Sequence, residues 1–359
     1  MTMSKGSWKQ PFKRPLSANV LDNKQAPQEA QRSKTLLQNT AVVSRPTMKP
    51  WEISKYFRNN APQSCDKLIF REDGNRSPWL YLPDEIWLRI FALLPHRDLC
   101  QVARVCYCFH RLANDETLWK NIKIENSNCL NDKWLKNIGH HQPRSLSLCR
   151  CNDRTKSITD SGLRELFRHS KDSLKELYVT CCSGPKLTGD SVLLHASAVC
   201  HKLTSVDVSW TAATDKGIIA LAQASSCLYR LLANGCHLTD ESINILIKKH
   251  RKSLRELELF GCHALSSHCL THMAQECLNL QSLNIGRIPK LTTTCLIQIV
   301  TSLKNLSALN LSGLNAVHDS VVHHTARQCP KMDRLILSSC LQLTDVSLFE
   351  IGTYLSTIR

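Results

Sequence analysis

Most of what would mark an enzyme, a metalloprotein or a membrane protein is missing from this chain of 359 residues. There is no Gly-x-Ser-x-Gly elbow, no Walker loop and no Gly-x-Gly-x-x-Gly turn, and no pair of carboxylates stands at an acid–base spacing. Cys-x-x-Cys is absent despite eighteen cysteines, which removes the usual zinc-knuckle spacing. What remains is Cys106-x-Cys108, Cys149-x-Cys151, Cys181-Cys182, His323-His324, and His268 with His272 one helical turn away. These read as structural residues, so no metal, no cofactor and no catalytic residue is expected. No apolar run is long enough to cross a bilayer and no apolar leader opens the chain, so a membrane is excluded and an intracellular protein of the cytoplasm, the nucleus or both is expected.

One repeated frame organises what is present. Leu254, Leu257, Leu259 and Cys262 occupy the first, fourth, sixth and ninth positions of a segment that returns from residues 228, 280, 306 and 332, each 26 residues from the last. Looser copies begin at Pro143, Leu174 and Leu203. A fixed period of this length is the signature of a leucine-rich solenoid. The fourth and sixth residues share one side of a short strand, because side chains alternate with period two. Cysteine at the ninth position fits a small apolar site where the chain turns inward. Thr-Asp pairs follow (Thr159-Asp160, Thr214-Asp215, Thr239-Asp240, Thr344-Asp345), each an N-cap with an acid in the first helical turn. The expected fold class is therefore α/β: a horseshoe of about eight repeats over residues 143–359, parallel strands inside and helices outside. The frame calls for another repeat from Ile358, and no polar cap covers the last apolar face. The expectation is a truncated form of a longer protein, or a last repeat covered by a partner.

Residues 1–77 read as a disordered basic tail: the first sixty carry eleven Lys and Arg against three Asp and Glu, with no apolar period. Half of the formal charge of +16 sits there, so the basic balance says little about the folded surface. Lys9 to Arg14 forms a short basic cluster of the kind seen in nuclear import signals. The cysteines fall in register with the solenoid: Cys151, Cys182, Cys236, Cys262 and Cys340 in the ninth column, and Cys200, Cys277 and Cys329 three residues before a repeat. A periodic buried column needs no crosslinks and points to a reducing compartment.

Residues 78–120 form a second block. Pro83 suits a first helical turn, with Asp84 and Glu85 favourably placed beside it. Ile86, Ile90, Phe91 and Leu94 follow at helical spacing, and Pro95 ends the helix. Leu99, Val102 and Val105 mark a second helix, and Phe109 to Ala113 a third. About 40 residues cannot comfortably bury a core alone, so this unit is expected to pack on a partner, on the solenoid or on both. The pattern Leu82-Pro83-x-Glu85-Ile86-x-x-x-Ile90-Phe91-x-x-Leu94, then Arg97-Asp98-Leu99, Val105-Cys106 and Leu118-Trp119, resembles an F-box. It departs at Phe109, where the family usually has Trp. Joined to cysteine-bearing leucine-rich repeats, it makes residues 80–359 similar to the F-box/leucine-rich-repeat family.

That resemblance implies a small three-helix F-box at 78–120, a linker at 121–142, and a non-catalytic substrate-recognition subunit of an SCF-type (Skp–cullin–F-box) ubiquitin ligase. The F-box would bind the Skp adaptor, and through it a cullin–RING ligase, with Leu82, Pro83, Ile86, Ile90, Phe91 and Leu94 in contact and Leu99 and Val102 behind them. The concave strands would hold the protein substrate. There the outward positions three, five, seven and eight place Tyr178, Trp210 and Phe260 beside Asp207, Glu256 and Glu258, an aromatic, acidic centre that fits a basic partner segment. The strand faces lack the basic, aromatic stripe of a single-strand groove, so nucleic acid is not the expected partner. The alternative is a leucine-rich interaction scaffold acting outside a ligase.

Overall fold

A computed structural model describes residues 82–153, 157–355 and 358. The tail expected over residues 1–77 lies outside the described residues, as do the first residues of the 78–120 block. Three short helices open the described chain: α1 (Asp84–Phe91), α2 (His96–Val102) and α3 (Tyr107–Ala113), with a single turn α4 (Glu116–Trp119) behind them. Pro83 and Pro95 stand at the N-caps of α1 and α2, where a missing N–H costs nothing. Phe91, Leu99, Leu112 and Ala113 are buried between the helices. Trp87, Phe91 and Phe109 form an aromatic trio with ring centroids 4.6–5.7 Å apart. Phe109 fills the place where the resemblance calls for Trp, with its ring edge-on to both partners.

The solenoid follows as alternating strands and helices: β1 (Asn121–Glu125), α5 (Asp132–His140), β2 (Ser145–Cys149), α6 (Asp160–Ser170), β3 (Glu176–Thr180), α7 (Gly189–Ser197), β4 (Ser205–Asp207), α8 (Asp215–Ala224), β5 (Arg230–Leu232), α9 (Asp240–His250), β6 (Glu256–Glu258), α10 (Ser267–Glu276), β7 (Ser282–Asn284), α11 (Thr293–Ser302), β8 (Ala308–Asn310), α12 (Asp319–Gln328), β9 (Arg334–Ile336) and α13 (Asp345–Tyr354). Nine parallel strands pair in sequence order. Their fourth-position residues stand in one file, for example Leu231↔Leu257↔Leu283. The linker expected at 121–142 is not a linker. Ile122 pairs with Leu146 and Ile124 with Leu148, so this segment is the first repeat, and Trp119 is its first-position residue. Its 24-residue step to Pro143 and its short Asn-Ile-Lys-Ile-Glu strand hid it from a frame tuned to 26.

Three devices weld neighbouring repeats. The capping threonine of one helix reaches back to the first aspartate of the helix before it: the Thr214 hydroxyl donates to Asp190 Oδ2 at 2.6 Å and its N–H to Oδ1 at 2.8 Å. Asp132–Thr159, Asp215–Thr239, Asp240–Ser266 and Asp319–Thr344 repeat the arrangement. Such charge-assisted bonds contribute about 1.5–3 kcal/mol each at buried sites and less here, where most are solvent-exposed. The ninth-column thiols form the second device. Those of Cys182, Cys236, Cys262 and Cys340 donate to a carbonyl of the preceding repeat at 3.3 Å. Cysteine is thus a donor at the strand end as well as a small apolar filler, and the described cysteines are all free thiols.

The third device is a backbone conformation. The eighth position of all nine repeats lies in the left-handed region: Asn126, Arg150, Cys181, Trp210, Gly235, Gly261, Arg287, Gly313 and Ser339 have φ between +52° and +71°. This is the turn that swings the ninth residue back into the core. Burial weakens at the far end, where Leu335, Leu337 and Cys340 are half-buried and Leu341, Leu348 and Phe349 are exposed. Ile358 donates its N–H to the Leu355 carbonyl at 3.3 Å, as Leu280, Leu306 and Met332 do in their own repeats.

Candidate functional site

Two surfaces carry the candidate residues. On the helical unit the structure divides the eight expected contacts. Phe91 and Leu99 are 2% exposed and belong to the unit's own core, so they support the surface rather than forming it. Leu82, Leu94 and Val102 are half-buried. Pro83 is exposed, and Ile86 and Ile90 are 36% and 39% exposed. Pro83, Ile86 and Ile90 recur at steps of three and four, and Leu93, 84% exposed, continues the stripe. Trp87 and Phe91 turn to the aromatic trio on the other side of α1. Leu93 was missed because its spacing continues a helix that ends at Phe91. Val105, assigned to the second helix, lies beyond its end and is exposed.

This unit joins the solenoid through ring stacking. The Trp119 indole donates to the Ala113 carbonyl at 2.7 Å and stacks on His141 with centroids 4.0 Å apart. The His96 ring packs tilted against the same indole, with centroids 5.1 Å apart, and its Nε2 lies 3.2 Å from the Leu118 carbonyl oxygen. Burial, with the charges of His140 and His96 nearby, lowers the His141 pKa to about 4.

The second surface is the concave face between β3 and β6. The register sets Tyr178, Asp207, Leu232 and Glu258 in one row and Glu176, Ser205, Arg230 and Glu256 in the next. Tyr178 donates to Glu176 at 3.1 Å and lies 3.1 Å from the Ser205 hydroxyl. Glu256 is neutralised by Arg230, whose Nε is 2.6 Å from Oε2, so the expected acidic centre is smaller than the sequence suggests. Asp207 accepts the Ser209 N–H at 2.9 Å, and Glu258 accepts from Asn234 at 2.7 Å. Neither has an ion-pair partner among the described residues. Burial pushes the Asp207 carboxyl above its ordinary range, and the charge of Glu258 adds to the shift. Asn234 also accepts the Phe260 N–H at 2.9 Å, tying the acidic row to the aromatics.

Trp210 and Phe260 meet edge-on with centroids 6.5 Å apart, and the Arg287 guanidinium lies 5.6 Å from the Phe260 centroid. Trp210 is 53% exposed although it stands at a left-handed eighth position, where glycine serves in three other repeats. Close glycines make room for these side chains: a Cβ on Gly235 would lie 2.2 Å from the Trp210 ring, and one on Gly286 2.8 Å from that of Phe260. Arg230, Leu232 and Asn234 are additions to the expected set. They follow from the alternation once the register is known.

His268 and His272 both lie on α10, and His272 Nδ1 is 3.4 Å from Asn244 Oδ1. Among the described residues no three His, Cys, Asp or Glu side chains converge as a metal ion would require. No helix among them is long and apolar enough to cross a membrane.

A small helical unit with an outward apolar stripe thus leads into a leucine-rich solenoid with an aromatic, acidic concave face. Residues 79–125 match the F-box-like family. The chain is 26% identical to lysine-specific demethylase 2B of Mus musculus, over 58% of this chain and 18% of that protein. It is 25% identical to lysine-specific demethylase 2A of Xenopus tropicalis, over 52% and 16%. It thus spans under a fifth of the length of these curated relatives. Similar solved structures include the Rad7 and Elc1 complex in yeast, at 16% identity, TM-score 0.39 and coverage of 74% of this chain and 91% of that one. The TLR13–ssRNA13 complex gives 17% identity, TM-score 0.39 and coverage of 68% and 33%. Residues 79–125 thus carry an F-box-like domain, and the chain is similar to F-box/leucine-rich-repeat proteins.

Proposed function

We propose that this protein is a non-catalytic substrate receptor of an SCF-type ubiquitin ligase. Its F-box docks on a Skp-type adaptor, which links it to a cullin–RING ligase, and its concave strands hold the protein to be ubiquitinated. The observation that carries this reading is the apolar stripe Pro83, Ile86, Ile90 and Leu93, which stays outside a helical unit whose own core, at Phe91, Leu99 and Leu112, is already sealed. Exposed apolar side chains in register on one helix face support a docking surface for another chain's helices.

The test is copurification of the full chain with a Skp-type adaptor, comparing wild type with Ile86→Asp/Ile90→Asp. Both residues are more than a third exposed, so the variant keeps its fold and thermal midpoint while adaptor capture falls at least about a hundredfold. A well-folded wild type that captures no adaptor overturns the proposal and leaves a leucine-rich scaffold working outside a ligase.

A further inference from the structure

The concave face carries a charge opposite to that of the chain as a whole. The chain is formally +16, yet the outward strand positions from β3 to β6 hold Glu176, Asp207, Glu256 and Glu258 against Arg230 alone. Arg230 is committed to Glu256. Among the described residues three carboxylates are therefore left without an ion-pair partner; Glu176 accepts from the Tyr178 hydroxyl, and the other two, Asp207 and Glu258, belong to one row. Asp207 and Glu258 sit on β4 and β6, two strands apart, with the half-buried Leu232 of β5 between them. Strand spacing places them roughly 10 Å from each other, so a cation over Leu232 would lie about 5 Å from each. Trp210 stands in the turn that follows β4, half outside the protein.

We infer that this face binds an extended protein segment through an arginine, its guanidinium seated over Leu232 between Asp207 and Glu258 and its neighbouring residues resting on Trp210. Arginine fits better than lysine. Its flat guanidinium is weakly hydrated, tolerates the apolar floor that Leu232 supplies, and spreads its donors in a plane that can meet two separated carboxylates. The protein already uses the same chemistry on the same face, where its own Arg287 is held over Phe260. That contact occupies Phe260 and leaves Trp210 as the open aromatic. An acidic or nucleic-acid ligand would meet like charge here, and a purely apolar one would cover Asp207 and Glu258 without solvent or a counter-cation. The inference deepens the receptor reading by naming the chemical class of its substrate, and its test uses a different surface from the adaptor test.

The experiment screens the full-length chain on an array of random ten-residue peptides, then titrates the best binder and its Arg→Lys, Arg→Gln and Arg→Glu versions by fluorescence polarisation. Arginine is expected to be enriched, with binding ordered Arg, then Lys, then Gln, and none for Glu. Asp207→Asn/Glu258→Gln should weaken the arginine peptide about tenfold or more and flatten its salt dependence, with unchanged circular dichroism. Trp210→Gly should weaken binding while preserving the turn. The inference is overturned if the array enriches apolar or acidic peptides, if it enriches none, or if the double variant binds the arginine peptide as well as wild type. Because adaptor capture depends on α1, a wild-type chain that captures the adaptor yet binds no arginine peptide sinks this inference alone.

Discussion

Gly235→Ala tests the concave turn and the placement of Trp210 together. Gly235 and Gly261 occupy the same position of consecutive repeats, with φ of +66° and +71°. In each, a methyl group meets the penalty of an L-residue in the left-handed region, about 1–2 kcal/mol. Their surroundings differ. A Cβ on Gly261 meets nothing nearer than the Gly235 Cα at 4.0 Å, whereas one on Gly235 lies 2.2 Å from Trp210 Cε3 and 2.3 Å from Cζ3. The indole must swing away, giving up its seat on Gly235 and its edge contact with Phe260, an aromatic pairing that contributes about 0.5–1.5 kcal/mol. Gly261→Ala should therefore cost about 1–2 kcal/mol and Gly235→Ala about 2–4 kcal/mol. In a Trp210→Gly background the obstacle is gone, and Gly235→Ala should fall back to the cost of Gly261→Ala. The coupling energy in that cycle is expected to be about 1–2 kcal/mol, read by equilibrium urea unfolding. Equal costs for the two glycines, or an additive cycle, would refute the seating of Trp210 on Gly235.

Two further predictions address the cysteines and the joint between the F-box and the solenoid. Burial pushes the Cys262 thiol up to about 12, as it does those of Cys200 and Cys277, and all three are closed to solvent. Mass spectrometry after brief iodoacetamide treatment of the native protein at pH 8 should find alkylation at the exposed Cys129, Cys181 and Cys227 before Cys200, Cys262 or Cys277. Early modification of Cys262 would contradict the buried column. At the joint, His141 has a folded-state pKa near 4 against an ordinary value of 6.5, so the unfolded chain binds more protons between those limits. Its contribution is fully present above pH 6.5 and is lost as the pH falls toward 4, by at most about 1.4 kcal/mol per pH unit and less with solvent screening of a half-exposed ring. His141→Gln should make the urea midpoint less steep in that window than wild type. An unchanged slope would show that His141 titrates freely.

The repeat frame, the strand register and the helix caps were legible because each follows from a period or a local backbone rule. Thr239 before Asp240 caps α9 as its sequence says it must. What no local rule contains is the partner. That Asp215 of the previous repeat receives the Thr239 hydroxyl depends on stacking, which superposes residues about 25 positions apart. Phe91 and Ile90 differ in the same way. Both are apolar, adjacent and within the F-box pattern, and only the packing of α1 on α3 decides that one is core and the other surface. Glu256 read as free acid because its cation, Arg230, is far along the chain although it lies on the neighbouring strand.

The lost linker has the largest consequence for how such a receptor would work. Trp119 ends the F-box pattern and also begins the first repeat, so the two parts share a residue. Its indole makes three contacts, a hydrogen bond to the Ala113 carbonyl and ring contacts with His96 and the stacked His141. The last element of the F-box and the first strand of the sheet therefore cannot rotate about a flexible hinge without unstacking a buried tryptophan, at a cost of several kcal/mol by comparison with core truncations. A receptor that must present its cargo to a distant enzyme gains from such a joint, because positioning energy is spent once, in folding, and not again at each encounter. The orientation of the concave face relative to α1 is then a fixed property of the chain, set by the packing around Trp119.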